Sequence, residues 1–162
     1  MKLYLCQHAE AKWEEVDPNR PLTEKGYDDA RRVAAHAAGH AHVRVRRILH
    51  SSKLRARQTA EVWAEYLSPV ETAQAEDLDP QADPRVWADR LMREPEDTMV
   101  VGHLPHLARL ASRLLCGDEG RGVVTFYNGG IVCLERSEGG TWSLQWAVTP
   151  AWCDANSSYS RL

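Results

Sequence analysis

With 162 residues, 43% of them hydrophobic, the chain is long enough to bury the core of one compact domain. A formal charge of -3 gives no overall basic field that would hold nucleic acid. No apolar segment reaches the roughly 20 residues that cross a bilayer, and the first residues lack a signal-peptide pattern. We therefore expect one cytoplasmic domain over residues 1–162, without nucleic-acid or membrane partners, and a loose tail from about residue 153.

Strand-like and helix-like segments alternate along the chain, which predicts an α/β fold with a mostly parallel central sheet. The first strand is expected over residues 2–6, and a helix opens at the sequence TEKG. A second strand and helix follow, then a third pair, then a fourth. Their predicted ranges are 47–50, 54–67, 70–75, 86–94, 98–102 and 106–117. Two alternating runs, 130–135 and 141–148, predict an antiparallel hairpin at the sheet edge.

Three polar clusters fall where predicted strands end. Gln7 and His8 follow the first strand, the sequence SSKLR follows the second, and His103 follows the strand at 98–102. In open α/β sheets, ligands bind at the carboxyl ends of strands, where helix N-termini converge. Two histidines and Arg55 at such positions predict an anion site, and phosphate is the natural ligand.

Each of these side chains also has a purely structural interpretation. His8 alone is typical of a polar group at a core boundary, and Arg55 alone is typical of a solvated helix face. Ser51 and Ser52 alone resemble N-cap residues of the following helix. Because the three clusters share one end of the predicted sheet, their joint placement favours a functional site.

The same residues resemble a known family. The sequences QHAEA at 7–11, RPLT at 20–23 with Gly26, SSKLRARQT at 51–59 and VGHLP at 101–105 are similar, in order and spacing, to the motifs of the histidine phosphatase superfamily. They most resemble its SixA-type branch of phosphohistidine phosphatases. The resemblance implies a three-layer α/β/α sandwich like that of phosphoglycerate mutase.

The resemblance also implies roles for individual residues. His8 would attack phosphorus and form a phosphohistidine that water hydrolyses, while His103 would stabilise charge on the phosphoryl oxygens. Arg55 would clamp the phosphate through its forked N–H donors. Gln7, Ser51 and Arg20 would complete the phosphate-binding set, and neither a metal nor a cofactor is expected.

The chain departs from the family pattern at two positions, because Gln7 and Ala9 stand where the family has arginine and glycine. Loss of one charge-assisted bond would cost about 1.5 to 3 kcal/mol of phosphoryl binding, or roughly tenfold to a hundredfold. We expect the pKa of His8 to rise without that charge, which would shift activity to higher pH. Among Arg20, Lys53 and Arg57, we prefer Arg20 as the compensating cation.

A general acid is not evident in the sequence, since Glu76, Asp77 and Asp79 are only loose candidates. A phosphohistidine substrate explains this, because a leaving imidazole needs less protonation than an alkoxide. We therefore predict a phosphohistidine phosphatase that acts on a phosphoprotein, such as a phosphotransfer domain. A non-catalytic phosphate- or phosphohistidine-binding module and a phosphatase of small phosphoesters are the alternatives.

Several other residues are interpreted as structural. The four cysteines form no C-x-x-C pair and are expected to be reduced core residues. His36 and His40 have helical spacing, but a solvated helix end is favoured over a metal site. We expect His106 to lie at the surface and Trp142 and Trp146 to share one strand face.

Overall fold

The computed structural model describes residues 1–154. Cys153 closes a short 3-10 helix, Pro150–Cys153, and Asp154 follows it. The tail predicted to be loose otherwise lies outside the described residues. Among the helices of residues 1–154, none is long and apolar enough to cross a membrane.

Within residues 1–154, four strand–helix pairs are followed by two further strands, as the sequence predicts. The strands are β1 Lys2–Gln7, β2 Arg47–His50, β3 Glu71–Gln74, β4 Thr98–Gly102, β5 Ile131–Arg136 and β6 Trp142–Val148. The helices are α1 Glu24–Gly39, α2 Leu54–Leu67, α3 Pro84–Arg93 and α4 His106–Cys116. The strands form one sheet in the order β3-β2-β4-β1-β5-β6. The first four strands in that order run parallel, and β5 pairs antiparallel with both β1 and β6.

Helices cover both faces of the sheet. Successive side chains of a strand point to opposite sides, so one strand contributes to the core on each face. Tyr4 and Cys6 of β1 pack in a core cluster with α1 and α2. Leu3 and Leu5 pack in a second cluster with α3 and α4. The predicted three-layer α/β/α sandwich is therefore confirmed, and β1, β4 and β2 lie side by side at its centre.

The start of α1 packs against the segment that follows β1. Thr23 caps the helix, with its hydroxyl oxygen accepting from the backbone N–H of Gly26. A Cβ atom at Gly26 would lie 2.1 Å from the carbonyl oxygen of Glu10. Only glycine permits this approach, which fixes α1 close to the chain that leaves β1.

The two tryptophans of β6 lie on opposite faces of the sheet, so the prediction that they share a face is wrong. The pairing of β5 with β6 shifts between Cys133 and Leu134, and Gln145 is the extra residue. Because one inserted residue reverses the alternation, Trp142 joins the α3/α4 core, whereas Trp146 packs beside Tyr4.

The cysteines are free, as predicted, but they are not all core residues. Cys6 and Cys133 are buried and Cys153 is partly buried. Cys116 is exposed, since it ends the amphipathic helix α4 on its polar side. His36 and His40 of α1 stack their rings 4.6 Å apart.

Candidate active site

His8 follows β1 directly, and its ring is fixed in one tautomer. Its backbone N–H donates to the carbonyl oxygen of Gly102 at 3.0 Å, and its own carbonyl accepts from Asn128 Nδ2 at 2.9 Å. The ring Nδ1 lies 2.8 Å from the carbonyl oxygen of Ala9. Because a carbonyl can only accept, the proton resides on Nδ1. The lone pair is therefore on Nε2, the atom free to attack an electrophile.

Arg55, in the first turn of α2, faces that lone pair. Its Nε donates to His8 Nε2 across 3.3 Å. Thr59, one turn further along α2, accepts from the backbone N–H of Ala9 at 3.0 Å and donates to the Arg55 carbonyl at 2.7 Å. Helix α2 thus positions the guanidinium and the segment that carries His8 together.

His103 completes the group from the end of β4. Its ring centroid lies 5.0 Å from that of His8, and its side chain is almost fully buried. The three residues meet because β2, β4 and β1 are parallel neighbours whose carboxyl ends open at the same edge. The structure therefore brings His8, Arg55 and His103 together as the sequence predicts.

Both ring systems are neutral at pH 7 in the free protein. Burial is the largest cause that lowers the pKa of His8 to about 4, with Arg55 and Arg20 lowering it further and the hydrogen bond to Ala9 opposing them. Burial, followed by His8 and Arg55, lowers the pKa of His103 to about 3. Burial already keeps the pKa of His8 low with Gln7 in place, and the further lowering expected from an arginine at residue 7 stays a prediction.

Ser51 is not the N-cap of α2. That position belongs to Lys53, which makes no side-chain capping bond. The buried Ser51 Oγ instead forms a 2.5 Å hydrogen bond with His103 Nε2. The other ring nitrogen of His103, Nδ1, is buried without a hydrogen-bond partner among the described residues. Ser51 is therefore the residue that orients the His103 ring.

We predict that Ser51→Ala lowers kcat about tenfold, which corresponds to one lost hydrogen bond in the site. The reason is that the ring of His103 would lose the hydrogen bond that orients it. Nitrogen-15 NMR of the imidazoles and a pH–rate profile report this directly. Ser51→Thr should restore both, and Ser52→Ala, at the exposed neighbour, is the matched control. An unchanged His103 spectrum in Ser51→Ala would contradict the role.

Arg20 reaches the site through the loop between β1 and α1. It lines a cavity of about 560 Å³ that also contains His8, and it lowers the pKa of both His8 and Arg55. Its Nε donates to the carbonyl oxygen of Lys12 at 3.0 Å, and its φ is 48°. Arg57, by contrast, is exposed and pairs with Glu61. The geometry thus favours Arg20 as the additional cation.

The two departures from the family pattern are accommodated differently. Gln7 is nearly buried at the end of β1, and its side-chain Oε1 has no hydrogen-bond partner among residues 1–154. Ala9 is fully buried and does not take a positive φ. The extra methyl group at residue 9 therefore causes no backbone strain, and the missing charge at residue 7 is the consequential change.

The loose candidates for a general acid do not line the cavity that contains His8. Asp77 pairs with Arg90 at 2.8 Å, and both Asp77 and Asp79 act on His106 by raising its pKa. Burial is the larger effect and lowers that pKa to about 4. His106 is in fact fully buried, so its predicted surface position is wrong. It opens α4, whose apolar face packs on the sheet.

Sequence reasoning missed two residues that hold the site in place. Thr59 was within the motif at 51–59 but had no role assigned to it, and Asn128 lies in the sequence FYNGG. The glycines after Asn128 were the available signal, since Gly129 has a φ of 73° and donates to the carbonyl oxygens of Gln7 and His8. Turn chemistry thus ties the segment before β5 to the nucleophile.

Comparison with known proteins agrees with this geometry. Residues 3–81 match the sequence model of the histidine phosphatase superfamily (branch 1), a segment that includes His8, Ser51 and Arg55. Phosphohistidine phosphatase SixA of Escherichia coli K12 is 27% identical, over 93% of this chain and 94% of the relative. A structure of the protein histidine phosphatase SixA complexed with tungstate superposes with a TM-score of 0.82. That alignment, at 27% identity, covers 93% of this chain and 97% of the other.

The fold recurs in more distant phosphatases. The α-ribazole phosphatase of Shigella flexneri has a TM-score of 0.70 at 16% identity, covering 93% of this chain and 97% of its own. The chain thus resembles the histidine phosphatase superfamily, as the sequence predicts. Within that superfamily it is similar to SixA, and the prediction that it is a phosphatase is confirmed.

Proposed function

We propose that the protein hydrolyses phosphohistidine on a cytoplasmic phosphoprotein through a covalent intermediate on His8. The observation that supports this most directly is the state of the His8 ring. Its Nδ1 proton is held by the Ala9 carbonyl, while Nε2 carries a lone pair beside Arg55. A neutral, oriented imidazole surrounded by N–H donors is what an in-line attack on phosphorus requires.

The reaction proceeds in two displacements. In the first, His8 Nε2 forms a bond to phosphorus as the phosphorus–nitrogen bond of the substrate breaks, and the leaving imidazole takes a proton from solvent. In the second, water attacks the phosphorylated His8, the bond to Nε2 breaks, inorganic phosphate leaves and a proton returns to solvent. Neither displacement needs a strong acid, because imidazole is a weakly basic leaving group.

Charge on the phosphoryl oxygens is stabilised by the side chains around His8. Arg55 supplies forked N–H donors, Arg20 adds a second positive charge, and His103 adds a neutral N–H. The Gln7 amide contributes a neutral donor, and Ser51 acts through His103. SixA binds tungstate, an analogue of phosphate, in a structure with the same fold. The activity of that relative as a phosphohistidine phosphatase supports the same substrate class here.

The binding-module and small-phosphoester alternatives are less well supported. In His8, the hydrogen bond between Nδ1 and the Ala9 carbonyl oxygen leaves Nε2 unprotonated. A pocket that only bound phosphate would not need an unprotonated Nε2. A small phosphoester has an alkoxide leaving group, which needs a proton donor. Glu76, Asp77 and Asp79 do not line the cavity. Glu10 does line it, but its carboxylate accepts from the Thr23 hydroxyl at 2.9 Å and lies 3.9 Å from Lys25 Nζ.

We predict that Gln7→Arg raises kcat/KM about tenfold to a hundredfold, because it restores one charge-assisted bond to the phosphoryl group. The test compares wild type and variant on a histidine-phosphorylated protein and on p-nitrophenyl phosphate. The acid limb of kcat/KM should move to lower pH in Gln7→Arg, because an added positive charge lowers the pKa of His8 further, and an unmoved limb would reject that effect. Gln7→Met, of similar length and uncharged, should gain nothing. Turnover found only in Gln7→Arg would instead favour the binding module.

A further inference from the structure

The loop between β1 and α1 exposes two large apolar side chains beside the cavity that contains His8. Trp13 is 74% exposed and Val16 is 70% exposed, and both line that cavity with Arg20. We refer to Trp13 and Val16 as the apolar rim. Single exposed apolar residues are ordinary, but a group at the mouth of a site indicates a surface that another molecule covers.

The apolar rim is held in place by the loop that carries it. The backbone N–H groups of Val16 and Asp17 donate to the carbonyl oxygen of Trp13 at 3.1 and 3.0 Å. Lys12 closes the loop from both directions, because its N–H donates to Pro21 and its carbonyl accepts from Arg20 Nε. The backbone that carries the two side chains is therefore ordered, which reduces the entropy lost on binding.

We propose that the apolar rim docks the protein surface around the substrate's phosphohistidine, an inference that rests on the proposed function. Free phosphohistidine placed at His8 would leave most of Trp13 exposed to water. A protein that presents its phosphohistidine among apolar side chains would bury both rim residues as the phosphoryl group reaches Nε2. Tryptophan is enriched among the residues that dominate such contacts.

Negative charge beside the apolar rim indicates which kind of protein surface would dock there. Glu14 and Glu15 lie exposed between Trp13 and Val16. They favour a protein that carries lysine or arginine beside its apolar patch, whereas the cations Lys12 and Arg20 line the cavity that contains His8. A second copy of this chain docked symmetrically through the loop would bring like charges together.

The test measures kcat/KM on two substrates that share the same chemistry. One is a histidine phosphotransfer domain, phosphorylated with phosphoramidate, whose phosphohistidine lies between exposed apolar and basic residues. The other is free phosphohistidine. We expect Trp13→Ala and Val16→Ser each to lower kcat/KM for the protein by about tenfold or more. On free phosphohistidine each should change it by less than about twofold.

Matched controls separate docking from a general loss of exposed apolar surface. Val70, 74% exposed, precedes β3 at the opposite end of the sheet, and Trp152, 78% exposed, lies on the final 3-10 helix. Neither residue lines the cavity that contains His8. Val70→Ser and Trp152→Ala should therefore leave kcat/KM for both substrates unchanged.

Each outcome supports or overturns the inference. Equal effects of the rim variants on both substrates, or no effect on either, would overturn docking while leaving the phosphatase assignment intact. Failure of wild type to act on either substrate would overturn the proposed function itself. Binding of wild type to phosphatidylglycerol vesicles, or a dimer in sedimentation, that is lost in Trp13→Ala would identify a membrane or a second copy as the occupant instead.

Discussion

His8→Ala is expected to lower phosphohistidine turnover by at least about a thousandfold, because it removes the nitrogen proposed to form the covalent intermediate. The described structure places one unprotonated ring nitrogen against Arg55, and that atom belongs to His8. Alanine at residue 8 would leave the loop intact, since the backbone N–H and carbonyl of His8 make its contacts to Gly102 and Asn128. Single-turnover assays with ³²P-labelled phosphoprotein measure the loss.

The same assay identifies the intermediate. Wild type quenched within the first turnover should carry acid-labile, base-stable label, as a phosphoramidate does, and His8→Ala should carry none. His40→Ala, at an exposed histidine of α1, controls for loss of an imidazole elsewhere. Label retained on His8→Ala, or turnover within about tenfold of wild type, would contradict nucleophilic catalysis by His8.

Arg55→Lys is expected to lower kcat/KM about a hundredfold or more, although it keeps the positive charge. Lysine has a single ammonium group, so it cannot donate from a planar fork to two phosphoryl oxygens. It would also lose the Nε contact to His8 Nε2, which orients the guanidinium before substrate binds. Affinity for tungstate, measured by calorimetry, should fall in parallel.

Arg57→Lys is the matched control for that change. Arg57 lies on the same helix, two residues away, but it is exposed and paired with Glu61. It should retain wild-type kcat/KM and tungstate affinity. If Arg55→Lys also retained both, the forked donors would not be what stabilises the phosphoryl group.

The elements that sequence reasoning located well are those with sharp boundaries. Residues 47–50, 54–67 and 98–102 agree with β2, α2 and β4, because apolar runs there end at serine, glycine or a polar loop. The same boundaries placed His8, Arg55 and His103 at strand exits. Neighbouring parallel strands place their carboxyl ends at the same edge of the sheet, so the fold class alone predicts that these three residues meet.

What could not be predicted depends on contacts between distant residues. The reversal of Trp146 follows from one bulge in the pairing of β5 with β6, which no local pattern reveals. The bond from Ser51 to His103 joins residues 52 positions apart. The dominance of burial over charge at His8 likewise depends on how completely α2 and the segment before β5 enclose the ring.

The contact between Arg55 and His8 bears on how readily the enzyme releases its product. In the proposed mechanism, the guanidinium returns to the Nε2 lone pair when phosphate leaves, so the vacated nitrogen is not left without a hydrogen bond. Arg55 thus competes with phosphate for the position beside His8 Nε2. The hydrogen bond that re-forms between Arg55 and Nε2 offsets the loss of the anion's contacts. Weak product inhibition by inorganic phosphate follows, even though the cations around His8 would otherwise retain it.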